Sequence, residues 1–171
     1  MGTSAVRVPP MRGRRVLIRP YRPEELEAVV ASFRSFDRFV QPWGPPPRPK
    51  LRRRVLRSGR LWRGRVVMAI EWRGRLVGEI QTYRHSTIPP DTLGLGIALF
   101  DGKDRGRGLG TDAVRTFTRW ILDNGLAERI EAGTRPKNRA MRRVFAKLGW
   151  RSLGQAKERG VTWAMYELRS G

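Results

Sequence analysis

The sequence predicts an α/β fold of the α+β kind, with six to seven strands and about four helices in one domain. Three observations carry this reading. The chain has 171 residues, the length of a single domain able to bury a sizeable core. Two strand pairs, Arg65–Trp72 with Leu76–Tyr83 and Arg151–Gln155 with Val161–Leu168, read as hairpins. A glycine-rich run opens a long helix whose apolar residues Ala113, Val114, Phe117, Trp120 and Ile121 recur at helical spacing.

The elements follow in order. Met1–Arg15 reads as a basic flexible arm, leaving residues 16–171 as the domain. Val16–Arg19 is a strand. Pro23 starts a helix through about Phe33, because proline suits a first helical turn. Gln41–Pro49 holds five prolines and Trp43, which makes a stiff loop. Lys50–Ser58 is a short helix with Leu51, Val55 and Leu56 on one side. The first hairpin turns at Arg73-Gly74. Leu93–Phe100 is the next strand, where Gly94 and Gly96 suggest a bulge. After the long helix come a strand, Arg129–Thr134, a helix, Asn138–Leu148, and the closing hairpin. There is no internal repeat.

The run Asp104-Arg105-Gly106-Arg107-Gly108-Leu109-Gly110-Thr111 carries the chemistry. Glycines without a Cβ let the backbone lie against a ligand. The N–H groups of a helix start form an anion site, and Arg105 and Arg107 add charge suited to phosphate oxygens. A nucleotide P-loop is excluded because no Lys-Ser or Lys-Thr follows the glycines. A dinucleotide fingerprint is excluded because the spacing is G-x-G-x-G, past the middle of the chain. Arg105, Gly108 and Gly110 instead spell R-x-x-G-x-G, which resembles the acetyl-coenzyme A motif of the GNAT superfamily of N-acetyltransferases. The resemblance extends to Val16-Leu17-Ile18-Arg19-Pro20, Glu24-Glu25-Leu26, Leu76-Val77-Gly78-Glu79-Ile80, Arg129–Gly133, Asn138 and Val144–Trp150, in the family's order.

The resemblance implies a central mixed, mostly antiparallel sheet that splays between its fourth and fifth strands, here Leu93–Phe100 and Arg129–Thr134. Acetyl-coenzyme A would wedge into that splay. Backbone groups of Ala98, Leu99 and Phe100 would meet its pantetheine arm. Arg105, Gly106, Arg107, Gly108, Leu109, Gly110 and Thr111 would hold its pyrophosphate. Asn138 reads both as a cofactor contact and as a helix N-cap. The activity implied is transfer of an acetyl group to a primary amine. The nearest branch is that of the ribosomal-protein alanine N-terminal acetyltransferases, so a protein N-terminus is one acceptor class. The segment around Trp43 and Gly78–Gln81 also resembles aminoglycoside acetyltransferases. A third reading is a non-enzymatic nucleic-acid-binding module on the same fold.

Two proton donors usual in the resembled families are replaced here, by Phe145 and Met141. Phe145→Tyr is therefore expected to leave the chemical step unchanged or faster, although Met141, Val144, Phe145 and Leu148 also form one core stripe. Glu79 and Tyr83 are the candidate catalytic residues. A carboxylate within an apolar strand acquires a raised pKa if it faces a cleft. The same alternation also suits a solvated polar face shared with Gln81. Glu131 and Glu158 are weaker candidates, and Trp43 reads as a pocket wall or an exposed anchor.

Lysine and arginine number 36 against 15 acids, a net charge of +21, and 31 of the cations are arginine. Arg52-Arg53-Arg54, Arg57, Arg60, Arg63 and Arg65 crowd one stretch. Genome composition explains this as well as a polyanionic partner such as RNA does. With no cysteine and one histidine, the sequence offers no disulfide, acyl-cysteine or metal centre, and His85 belongs to a polar loop. No apolar run approaches a membrane span and no signal peptide is visible, so the expected location is cytoplasmic. The oligomeric state stays open, a homodimer included.

Overall fold

The computed structural model describes residues 4–35 and 42–171. Its strands are β1 (Val6–Arg7), β2 (Met11–Arg12), β3 (Leu17–Arg19), β4 (Arg60–Leu61), β5 (Val66–Trp72), β6 (Arg75–Tyr83), β7 (Thr92–Leu99), β8 (Arg129–Thr134), β9 (Arg151–Glu158) and β10 (Val161–Arg169). Its helices are α1 (Leu26–Arg34), α2 (Arg48–Arg57), α3 (Leu109–Asp123) and α4 (Arg139–Lys147). Eight strands form one sheet in the order β2-β3-β5-β6-β7-β8-β10-β9, and β1 pairs with β4 in a separate ribbon. All neighbours in the large sheet run antiparallel except β7 and β8.

Both hairpin turns have the same local cause. Arg73-Gly74 and Arg159-Gly160 each take positive φ at both residues, the twist that suits a two-residue hairpin. The second hairpin is longer than its apolar pattern suggests. β9 is exposed along its length, so Ala156, Lys157 and Glu158 carry no burial signal.

The sheet is covered on both faces. One apolar cluster packs α3 and α4 against it through Val114, Phe117, Ile121 and Phe145. The other packs α1 and α2 through Val29, Val30, Phe33, Leu51 and Val55. Leu56 is 47 % exposed, so α2 buries a narrower face than the sequence suggests. Helix α2 also begins two residues earlier than its apolar pattern, at Arg48, with Pro47 preceding it.

The expected flexible arm is instead folded into the domain from Val6 onward. β2 joins the edge of the large sheet, which is why the sheet has eight strands rather than six or seven. Val8 and Met11 are buried. Four arginines and two prolines between Val6 and Arg15 mask its apolar residues in the sequence. Residues 1–3 of the expected arm, and Gln41 of the expected loop, lie outside the described residues.

Candidate functional site

The one parallel junction is also incomplete. β7 and β8 pair only from Thr92↔Arg129 to Leu95↔Ala132. Beyond that point β7 continues to Leu99 and β8 to Thr134, and the two strands part. The N–H of Phe100 donates to the Val77 carbonyl at 2.9 Å, so backbone groups of Phe100, and by alternation those of Ala98, face β6. Ile97 and Leu99 therefore turn their N–H and C=O groups toward the open edge.

A cleft of about 440 Å³ occupies this edge. Ile97, Ala98 and Leu99 form one wall, and Asn138, Met141 and Val144 of the α4 region form another. Its third side is the start of α3. Gly108 caps that helix with a left-handed backbone, φ 77°, which favours glycine. The N–H groups of Leu109, Gly110 and Thr111 lie in the first turn, where no intrahelical carbonyl can reach them. All three residues line the cleft, as do Arg105 and Gly106. Arg143 and Lys147, one turn apart on α4, add two cations. Phosphate groups fit this mouth by charge and by free N–H donors. An amide-bearing arm fits the unpaired edge of β7.

The expected cofactor residues divide accordingly. Ala98, Leu99, Arg105, Gly106, Gly108, Leu109, Gly110, Thr111 and Asn138 line the cleft. Phe100 packs instead with the α1–α2 cluster, its ring 5.5 Å from that of Phe33. Arg107 turns away from the loop. Its Nε donates to the Lys103 carbonyl at 2.9 Å, and its guanidinium lies 5.5 Å from the Trp72 ring centroid. Asn138 accepts from the Met141 N–H at 3.1 Å, so its side chain is an N-cap as well as part of the cleft wall.

Glu79 and Tyr83 project from β6 toward the opposite face, with Gln81 between them. Glu79 is 3 % exposed. Its Oε2 accepts from the Tyr21 hydroxyl at 2.8 Å and its Oε1 from Arg54 Nη1 at 2.6 Å. Burial pushes its carboxyl above the ordinary value, while the charge of Arg54 and the hydrogen bonds from Tyr21 and Arg54 pull it back. Burial, reinforced by Glu79, likewise raises the Tyr21 hydroxyl well above its usual value. Tyr83 is pushed up to about 12, first by burial and then by the charges of Glu158 and Glu131. Its ring lies 5.0 Å from that of His85. Glu131 is half-buried and has no ion-pair partner among the described residues. Trp43 is 52 % exposed and rests 5.6 Å from the Trp163 ring.

Phe145 lies elsewhere. It is 1 % exposed, between Trp150 and Tyr166 at ring distances of 4.9 and 4.7 Å. It belongs to the core, while its neighbours Met141 and Val144 face the cleft. Sequence reasoning missed Ile97, Arg143 and Lys147. The last two were findable: with Ala140 and Val144 they share one helical face. Tyr21 and Arg54 carried no such signal, since a buried pair from distant segments leaves no spacing pattern.

The chain matches the family model described as an acetyltransferase (GNAT) domain over residues 15–151. It is similar in structure to a GNAT-family acetyltransferase from Bacillus anthracis. The TM-score is 0.75 at 22 % identity, covering 95 % of this chain and 99 % of that one. A ribosomal-protein-S5-alanine acetyltransferase from Vibrio fischeri gives 0.74 at 16 % identity, over 95 % and 97 %. The aminoglycoside acetyltransferase AAC(6')-Ib, in complex with coenzyme A and kanamycin, gives 0.73 at 17 %, over 90 % and 94 %. A search of curated proteins finds no match.

Proposed function

The chain belongs to the GNAT acetyltransferase family, and from that premise we propose that it transfers an acetyl group from acetyl-coenzyme A to a protein N-terminal amine. The observation that carries the transfer is the parting of β7 from β8 beyond Leu95 and Ala132. It leaves a cationic cleft on the α3–α4 face and carboxylate and phenol groups on the other. Acetyl-coenzyme A supplies an activated acyl carbon that the amine attacks directly, with no acyl-cysteine intermediate, since the chain has no cysteine.

The chain's own groups have separable tasks. The outward N–H groups of Ile97 and Leu99 are preorganised donors for the thioester oxygen. Glu131, half-buried without a cation partner among the described residues, attracts an incoming ammonium, which yields one proton to water before its nitrogen attacks; the second proton, lost from the nitrogen of the adduct, restores the one delivered to the sulfur. Tyr83 stays protonated, because its hydroxyl is pushed up to about 12, and is the proton donor for the departing sulfur. Glu79 is a positioning residue, since both of its oxygens are engaged. It ties β6 to α2 beneath the acceptor face.

The acceptor reading draws on charge. Arg52, Arg53 and Arg57 are exposed on α2, and Arg7 and Arg60 stand directly opposite each other in the β1–β4 ribbon. Like charges at paired positions destabilise a ribbon, and a polyanion relieves that repulsion. A protein N-terminus presented beside RNA fits such a surface. A polycationic aminoglycoside meets this net field unfavourably, although its reach is only about 8 Å at physiological salt.

The deciding experiment measures coenzyme A release with acetyl-coenzyme A and two acceptor panels. One contains peptides with free N-termini, the other aminoglycosides. Turnover with peptides, and blocking by prior N-terminal acetylation, supports the proposal. Turnover with aminoglycosides alone overturns the acceptor, and no release with any amine overturns the enzymatic reading.

A further inference from the structure

We propose that Arg15 is a ligand of the coenzyme pyrophosphate, presented to the glycine loop by the carboxylate of Asp112. The inference rests on the cofactor cleft described above. Arg15 belongs to the turn between β2 and β3, which is closed by the Gly13 N–H donating to the Val16 carbonyl at 2.8 Å. Asp112, in the first turn of α3, is 3 % exposed. Its Oδ2 accepts the backbone N–H groups of Arg15 at 2.7 Å and Val16 at 3.1 Å, and its Oδ1 accepts that of Arg14 at 3.1 Å. Gly13 makes the approach possible, because a Cβ there would overlap the Asp112 carboxylate and the Thr116 hydroxyl.

This clasp holds Arg15 by its backbone and leaves its side chain unspent. Among the described residues the Arg15 guanidinium has no hydrogen bond and no ion pair. The side chain runs beside Gly108, the residue that caps α3 and lines the cleft. A Cβ placed on Gly108 would lie 3.7 Å from Arg15 Nε and 3.9 Å from its Cδ. Arg107, the loop's own second arginine, points to the Lys103 carbonyl and the Trp72 ring instead. Besides Arg105 of the loop itself, a second uncommitted cation at the capping glycine therefore comes from the other half of the chain. A guanidinium offers phosphate a planar fork of donors as well as charge.

Isothermal titration of the full chain with coenzyme A and with 3′-dephospho-coenzyme A tests this. Arg15→Gln retains the backbone N–H that Asp112 holds, and an unchanged melting temperature verifies the fold. The expected result is a loss of about tenfold in affinity, the scale of a hydrogen bond to a charged group, equal for both ligands. Arg107→Gln should cost clearly less. In an Asp112→Ala background, Arg15→Gln should cost less than in the wild-type chain, because the clasp no longer aims it.

Unchanged affinity in Arg15→Gln overturns the proposal. So does a loss confined to coenzyme A, which would assign Arg15 to the 3′-phosphate. Full additivity of the two substitutions overturns the role of Asp112. A wild-type chain that binds neither ligand overturns the cofactor reading along with Arg15, whereas wild-type binding with an indifferent Arg15→Gln overturns Arg15 alone.

Discussion

Tyr83 and Gly94 are partners across β6 and β7, and the Tyr83 ring fills the space that a side chain on Gly94 would need. The phenol is thus placed by an absence on the neighbouring strand. Gly94→Ala should displace it, and Tyr83→Phe should remove only its hydroxyl. If that hydroxyl delivers the proton, both variants lose about a hundredfold in the single-turnover rate while coenzyme A affinity stays unchanged. A full rate in Tyr83→Phe would move the proton donor to water. The group also sets a pH window. Its folded pKa exceeds the ordinary phenol value, so its contribution to stability is complete below that value and is lost as pH rises toward about 12.

Arg54 is the charge partner of the buried Glu79. Arg54→Leu should destabilise the fold by about 3 kcal/mol or more at neutral pH, the cost of a buried carboxylate without its cation. Burial already raises the folded pKa of Glu79. Relative stability is therefore greatest below the ordinary carboxyl value and declines as pH rises through the folded one. Losing Arg54 raises that folded value further. Urea unfolding across pH should show the largest deficit near neutrality and the smallest in acid; a deficit independent of pH would refute the ion-pair account.

Gly108→Asp places a carboxylate at the mouth of the cleft. The site has room, with the nearest heavy atom 3.7 Å from the new Cβ, but its positive φ costs a non-glycine residue about 1 kcal/mol. The domain should remain folded and coenzyme A binding should vanish in calorimetry. Retained affinity in a folded variant would remove the glycine loop from the cofactor site.

Phe145→Tyr should not accelerate the reaction, contrary to what its position in the motif suggests. The new hydroxyl would be buried against Trp150 and Tyr166, far from water. A loss of about 1–3 kcal/mol follows if it finds no partner, read as a lower melting temperature. A faster chemical step would show that the ring reaches the cleft.

Substituting Arg52, Arg53, Arg57 and Arg60 by glutamine should weaken RNA binding and flatten its salt dependence, by roughly 0.7–0.9 in log–log slope per lost phosphate contact. Coenzyme A affinity should be preserved. Arg54 is excluded from this set because it is spent on Glu79. RNA binding that is undetectable, or indifferent to these substitutions, would trace the arginines to genome composition.

The sequence made the cleft on the α3–α4 face far more legible than the Glu79 and Tyr83 face. Gly108, Gly110 and Asn138 line the cleft at helix starts, where backbone conformation and capping demand particular residue types and so leave a local pattern. Arg107 misled because its motif position says nothing of the Trp72 ring that draws its side chain aside. Phe100 misled through strand alternation, since one residue's shift in phase turns its N–H to β6. Glu79 was conspicuous as a carboxylate in an apolar strand, but Tyr21 and Arg54, the residues that explain it, lie 58 and 25 positions away. The strands β1, β2 and β4 are two residues each, too short for any periodicity to register.

The sheet order divides the large sheet into two consecutive stretches of chain, β2-β3-β5-β6-β7 and β8-β10-β9, sewn together by four residue pairs. This seam is expected to form late in folding, because its strands are separated by the whole of α3 and loop closure must precede its contacts. A ligand lodged in the seam grips both halves at once. If coenzyme A occupies the cleft, saturation should suppress local opening at this boundary before it changes global unfolding. In hydrogen exchange, protection should rise first at Ile97 and Leu99, which face the cleft just beyond the last pair, Leu95 and Ala132.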